Sequence, residues 1–188
     1  MLNKEIQKTP LLIVISAPSG TGKTTLCDNI CLNSSSACRA ITCTTRSPRA
    51  DELDGKDYYF LNENEFLARV QNDEFLENAV VHGCHYGVLK SEVLSRLAEG
   101  KDVLLNIDVQ GAASVKKRSK GNLILRSSLL TVFLCPPSLK ELEKRLRGRG
   151  DNSEKDINRR LAIAEKEISQ KFLFDHSIIS STREADLE

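Results

Sequence analysis

The segment that most constrains this chain is ISAPSGTGKTT, residues 15–25. It follows a continuous branched apolar run, Leu11 to Ile15, and opens into a stretch from Thr24 to Leu32 with helical spacing. Such a run predicts a central strand covered on both faces, and the order strand, glycine turn, Lys-Thr, helix confines the chain to α/β architectures whose loop wraps an anion. APSGTGKT, residues 17–24, fits G-x-x-x-x-G-K-[ST] at every fixed position but the first, where Ala17 replaces glycine. Small residues let the backbone N–H groups of Ser19 to Lys23 converge on phosphate, and the following helix aims its positive end at the same point. The stretch expected to bind a nucleoside triphosphate is Ala17, Pro18, Ser19, Gly20, Thr21, Gly22, Lys23, Thr24 and Thr25. Within it Lys23 spans the terminal phosphates and the Thr24 hydroxyl ligates magnesium. The Ala17 methyl is expected to face the loop's entrance, a mild departure unless residue 17 needs a positive φ.

DVLLNID (102–108) and LLTVFLC (129–135) are two more buried runs with the helix-like GAASVKKR (111–118) between them, and HSIIS (176–180) is a fourth strand. Strands alternating with helices predict a parallel sheet. Ser138 with Glu141 opens one helix and Ser153 another, the second expected to reach about Phe172, with the basic corner RGRGDN (147–152) between them. Residues 40–88 are different in character. They hold the polar, turn-rich RSPRADELDGKDYYF (46–60), short strand-like pieces and a helix from Glu63 to Val70 capped by Asn62 and Glu65, and read as an insertion on the core.

A length of 188 residues suits one core with a small appended unit. The 27 basic and 26 acidic side chains nearly cancel, which gives no global field for nucleic acid or an anionic membrane. Six scattered cysteines without a C-x-x-C pair are expected to be free thiols in a reducing cytoplasm. His82, Cys84 and His85 lack a second ligand pair at zinc spacing, so no metal centre is expected there. Lys4 and Lys8 before LLIVISA imitate a signal peptide, but the run flows straight into the glycine turn, and no segment nears the roughly twenty apolar residues of a membrane span.

A phosphate loop serves switches, motors, helicases and kinases alike, so the receiving group must be read elsewhere. Arg46 and Arg49 flank Pro48, and Tyr58 follows. Two guanidinium forks and a phenol can clamp a dianionic phosphate, although an isolated R-x-x-R is otherwise a solvated loop. Together APSGTGKTT (17–25), TTRSPRADELDGKDYYF (44–60), NDEFLENAVVHGCHYG (72–87), NIDVQGA (106–112) and LEKRLRGRG (142–150) resemble the guanylate kinase family, in that family's order and over roughly residues 11–180.

The resemblance implies an α/β fold, a P-loop three-layer α/β/α core with a central parallel sheet (1–39, 98–138 and 173–188), a small mixed GMP-binding insertion (40–97) and a helical lid (139–172). It implies transfer of the γ-phosphate of ATP to GMP, and to dGMP, with Mg2+, by a monomer or small homo-oligomer. Arg46, Arg49, Tyr58 and Tyr86 would hold the GMP phosphate, and Glu77 the guanine edge, with Thr42 assisting. Asp108 would place a magnesium-bound water or the GMP base, and Arg145, Arg149 and Arg160 in the lid would act with Lys23 on the ATP phosphates and the transferring group. Glu77 suits its part chemically, since a carboxylate accepts two adjacent donors, which guanine presents and adenine does not. No general base is demanded, because the acceptor phosphate is already an anionic nucleophile.

The chain also departs from the family's pattern. Val88 stands where relatives carry a guanine-contacting Ser or Thr, which implies weaker GMP binding by the worth of a neutral hydrogen bond, about 0.5–1.5 kcal/mol. Asn106 replaces an acid, so a second acidic contact to the metal shell is missing, and extra residues around RSKGNLILRSS (118–128) carry no functional reading. After FDHSIIS (174–180) relatives continue into an Asn-Asp-Asp-like adenine-side loop and a final helix. Here STREADLE (181–188) stops, so either the chain is truncated or its ATP site closes differently, and a lost helix would expose apolar surface. Two other readings stand beside the kinase: an inactive guanylate-kinase-like module that binds a phosphopeptide, and a P-loop kinase for another small acceptor such as AMP or a phosphorylated sugar.

Overall fold

The computed structural model describes residues 9–81, 83–148 and 153–180. Strand β1 (Leu12–Ser16) leads through the glycine turn into α1 (Lys23–Asn33), as the sequence predicts. Next come β2 (Ala37–Arg39) and the insertion, formed by β3 (Thr42–Thr44), β4 (Tyr58–Phe60), α2 (Glu63–Gln71), β5 (Phe75–Val81) and β6 (Cys84–Leu89). The chain returns through α3 (Lys90–Ala98) to β7 (Asp102–Asn106), α4 (Val109–Ser119), α5 (Leu123–Ser128) and β8 (Leu129–Cys135). Helices α6 (Leu139–Arg147) and α7 (Glu154–Ile168), a 3₁₀ turn (Lys171–Leu173) and β9 (His176–Ile179) complete the described chain.

Five strands form a wholly parallel sheet in the order β2-β7-β1-β8-β9. Alternate residues of its central strands feed opposite faces. Leu12, Val14, Val103 and Leu105 pack with Val93 and Leu97 of α3, Ala112 and Val115 of α4 and Leu125 of α5. Ile13, Ile15 and Leu104 pack with Leu26 and Cys27 of α1. Helices therefore cover both faces, which is why these strands read as unbroken apolar runs, each fully buried aliphatic side chain contributing about 1.5–3 kcal/mol. The result is the expected three-layer α/β/α core.

The insertion carries a separate mixed sheet, β4-β3-β6-β5, with β3 and β4 parallel and the other pairs antiparallel. Phe66 of α2 stacks on Phe75 of β5 at 4.4 Å over buried Cys43. The capping box at the start of α2 is formed as expected, with Glu65 N–H donating to Asn62 at 2.9 Å and Asn62 N–H to Glu65 at 3.0 Å.

Several expectations are corrected. Helix α7 stops at Ile168, short of Phe172, and gives way to the 3₁₀ turn; Ser169 Oγ bonds back to the Lys166 carbonyl at 2.7 Å and competes with further helix. Strand β7 ends at Asn106, so Asp108 lies beyond the strand and caps α4 instead. Ala17 is buried, in one core cluster with Leu26 and Cys27, rather than open to solvent at the loop's entrance. Among the described residues Asp73 alone has a positive φ without being glycine, so alanine at 17 is unstrained. Residues 118–128 hold the end of α4 and all of α5, whose Leu125 joins the core. No helix among the described residues is long and apolar enough to cross a membrane.

Candidate active site

At the carboxyl end of β1, Gly20 and Gly22 adopt φ of +93° and +106°, a region that side chains disfavour. The turn they make leaves the N–H groups of Gly22, Lys23, Thr24 and Thr25 without acceptors among the described residues, at the positive end of α1. Lys23 Nζ meanwhile donates to the Ile107 carbonyl at 3.0 Å. Burial holds the Lys23 pKa below the usual lysine value, against the opposing charges of Glu167 and Asp108. A cleft of about 590 Å³ opens over this loop and is lined also by Asp108, by Arg159, Arg160, Ile163 and Glu167 of α7, and by Val81 of β5.

Of the three arginines expected in a lid, Arg160 reaches the loop, donating to Ser19 Oγ at 2.8 Å, while its Nε is buried without a partner among the described residues. Arg145 does not line the cleft. It donates to the Thr21 carbonyl and to Ser180 Oγ, both at 3.2 Å, and braces the loop from outside. Arg149 lies outside the described residues, as do His82 and the terminal segment 181–188. Helix α6 packs directly on the loop, since a Cβ on Gly20 would stand 3.0 Å from Leu146 and 3.3 Å from Leu142.

Thr24 Oγ1 is exposed and accepts from Asn106 Nδ2 at 3.0 Å, which leaves an oxygen lone pair open. Asp108 caps α4 with one oxygen, 2.7 Å from the Gly111 N–H, and is exposed at the cleft; it is not the buried structural aspartate that a strand end would give. A hydroxyl and a carboxylate are hard oxygen donors that fit Mg2+. Among the described residues no cluster of three or more His, Cys, Asp or Glu could hold a metal by itself. His85 instead leans on the Phe66 ring at 5.1 Å. All six cysteines are free thiols.

Glu77, on β5, is the most unusual group here. It is 7 % exposed and its carboxylate accepts no hydrogen bond among the described residues. Burial first, and then the charge of Asp108, push its pKa up to about 7, with Arg118 opposing. Glycine at 111 makes room for it, since a Cβ there would stand 3.3 Å from Glu77 Oε1. Val88 is its cross-strand partner on β6, but it is buried in the core cluster and offers no hydrogen bond.

Three of the residues expected to hold the acceptor phosphate lie near one another. Arg46 lies 5.3 Å from the Tyr58 ring centre, and the Tyr58 and Tyr86 rings are 6.3 Å apart. Arg46 is held as a fork on Glu52 at 2.8 and 2.9 Å, and the Arg49 N–H closes on the same carboxylate at 2.8 Å. The Arg49 side chain is exposed, and Thr42 lines a separate recess with Tyr58 and Glu52. Sequence reasoning missed Glu52, Arg159, Ile163, Glu167 and Val81; Arg159 was legible as the neighbour of Arg160, while the others carry no local signal.

Comparison with known proteins agrees with this geometry. The guanylate kinase family model matches residues 9–187. A guanylate kinase of Thermotoga maritima is 42 % identical over 177 residues, covering 94 % of this chain and 82 % of the relative, and one of Hydrogenovibrio crunogenus is 46 % identical over 170 residues, covering 90 % and 80 %. The crystal structure of guanylate kinase from Anaplasma phagocytophilum superposes with a TM-score of 0.66 at 30 % identity, covering 96 % of this chain and 82 % of that one. With the family's model spanning nearly the whole chain, and a phosphate loop and a buried free carboxylate in place, the chain belongs to the guanylate kinase family.

Proposed function

We propose that this chain transfers the γ-phosphate of ATP to GMP, and to dGMP, releasing ADP and GDP or dGDP. Glu77 carries the reading: a buried carboxylate with no internal donor is costly unless a ligand supplies donors, and the guanine edge presents two side by side. Arg46, Tyr58 and Tyr86, with Arg49 turning inward, hold the GMP phosphate, which requires Arg46 to share its fork with Glu52, and Thr42 assists Glu77 at the guanine edge. The loop amides, Lys23 and Arg160 hold the ATP phosphates and follow the charge that spreads over the transferring group. Arg145 serves as a brace for the loop, and Arg149 is assigned to the same phosphates by its motif.

Thr24 directly and Asp108 through water would hold Mg2+, which when bound neutralises phosphate charge. We read residues 40–97 as the acceptor-binding unit, with its last helix α3 anchored in the core, and 139–172 as the lid, with its first helix α6 anchored on the loop. The test is ADP formation from ATP with GMP, dGMP, AMP or no acceptor. Turnover with GMP and dGMP is expected; turnover with AMP alone would overturn the reading, and none with any acceptor would favour a phosphopeptide-binding module.

A further inference from the structure

The cleft over the phosphate loop is lined mainly by groups that suit phosphate and its counter-ions. Apart from Ala17 and Pro18, which are buried in the loop itself, two of its side chains do not. Val81, at the end of β5 on the insertion, is 46 % exposed, and Ile163, on α7 of the lid, is 50 % exposed. Ile163 lies one helical turn from Arg159 on one side and from Glu167 on the other, and all three line the cleft as one stripe of α7. A single exposed aliphatic residue needs no explanation. Here, however, two stand on the two units that must approach each other, over a site whose reacting groups are all charged.

Neither side chain gains from the triphosphate, the acceptor phosphate or a hydrated cation, and with Ala17 and Pro18 buried, the exposed aliphatic side chain each can bury against in this cleft is the other. We propose that Val81 and Ile163 form a hydrophobic clasp: with donor and acceptor both bound, the insertion hairpin and α7 close across the cleft, and the two side chains pack together and exclude water from the transferring phosphoryl group. This rests on the two-substrate kinase reading above.

The clasp is made in the closed complex, so its free energy favours reaction over the binding of either nucleotide alone. Its loss opens the competing step, in which a water oxygen bonds to the γ-phosphorus, the bridging oxygen leaves with ADP, and inorganic phosphate is released.

The experiment compares the parent with Val81→Ser, Ile163→Ser and the double variant, measuring GDP and inorganic phosphate formed from ATP and GMP, and the Kd of each nucleotide alone. Each single variant should lower kcat for GDP roughly five- to tenfold, the worth of half-burying an aliphatic side chain, and raise phosphate released per GDP. Binary Kd values should stay within about twofold, because the proposed clasp forms only when both nucleotides are bound. The double variant should be no slower than the worse single, and the swap Val81→Ile with Ile163→Val should restore kcat. Single effects that multiply in the double variant, or variants indistinguishable from the parent, would overturn the clasp.

A second readout does not depend on turnover. The chain contains no tryptophan, so Ile163→Trp places a unique fluorophore at the contact. Its emission should shift to the blue when GMP and the β,γ-imido analogue of ATP are added together, not with either alone, and Val81→Ser in that background should abolish the shift. No shift with any acceptor refutes the clasp. Turnover with an acceptor other than GMP refutes the GMP reading and leaves the clasp to be judged by the same shift with that acceptor.

Discussion

Glu77 ties recognition to pH. Burial raises its pKa from 4.5 to about 7, so in the free folded chain it keeps a proton that the unfolded chain has already lost. The folded state binds more protons across that window, and the contribution of Glu77 to stability declines as pH rises from about 4.5 to about 7, then levels. On the proposed reading, guanine donates to the Glu77 carboxylate, so GMP binding below about 7 must expel the proton. GMP affinity measured by calorimetry should therefore rise with pH up to that value and then flatten, with proton release on binding at the acid end. The phosphate of GMP, with a second pKa of about 6, contributes in the same direction. Glu77→Gln should keep only that part, and a parent profile no steeper than the variant's would contradict this account. The two phosphate sites separate in the same way: Lys23→Ala should cut turnover by about a thousandfold or more while GMP still binds, whereas Arg46→Ala should weaken GMP far more than ATP. The reverse pattern would exchange the sites.

At the scale of elements, the first turn of α4 is where helix packing and recognition meet. Gly111 lets α4 pass close to Glu77, and a Cβ would stand 3.2 Å from Ile107 Cβ and 3.3 Å from Glu77. Gly111→Ala gains up to about 1 kcal/mol of helix propensity, which offsets part of that crowding. It should leave the thermal midpoint nearly unchanged and raise the Kd for GMP about fivefold by displacing the carboxylate, with ATP affinity unaltered. Equal losses for both nucleotides would show a general disturbance. The elements differ in how openly the sequence announces them. β1, β7 and β8 are buried on both faces and α2 and α6 begin at side-chain caps, so composition and caps reveal them. α3 begins at Leu89 without a side-chain cap, and β2 is three residues long, so neither carries a local signal. The site divides likewise: the phosphate loop is contiguous and legible, while Glu52, Glu167 and Ile163 meet their neighbours only through tertiary contact.

For the whole molecule, the proposed reading joins two polar half-sites through the parallel sheet, with α3 packed into its core and α6 on the phosphate loop. One small contact shows how far this joining reaches. The Thr21 carbonyl accepts from Arg145 at 3.2 Å and from Ser180 Oγ at 3.1 Å, so the loop is braced by residues 124 and 159 positions later in the chain. During synthesis from the N-terminus, the phosphate loop therefore emerges early and waits for its brace until β9 is available. Ribosome-bound chains of increasing length should gain ATP-dependent resistance to proteolysis once Ser180 has left the exit tunnel, and not when α1 does. Protection already complete with α1 would show that the loop holds its shape unaided. If it does not, nucleotide capture becomes the cell's first sign that this chain has finished folding.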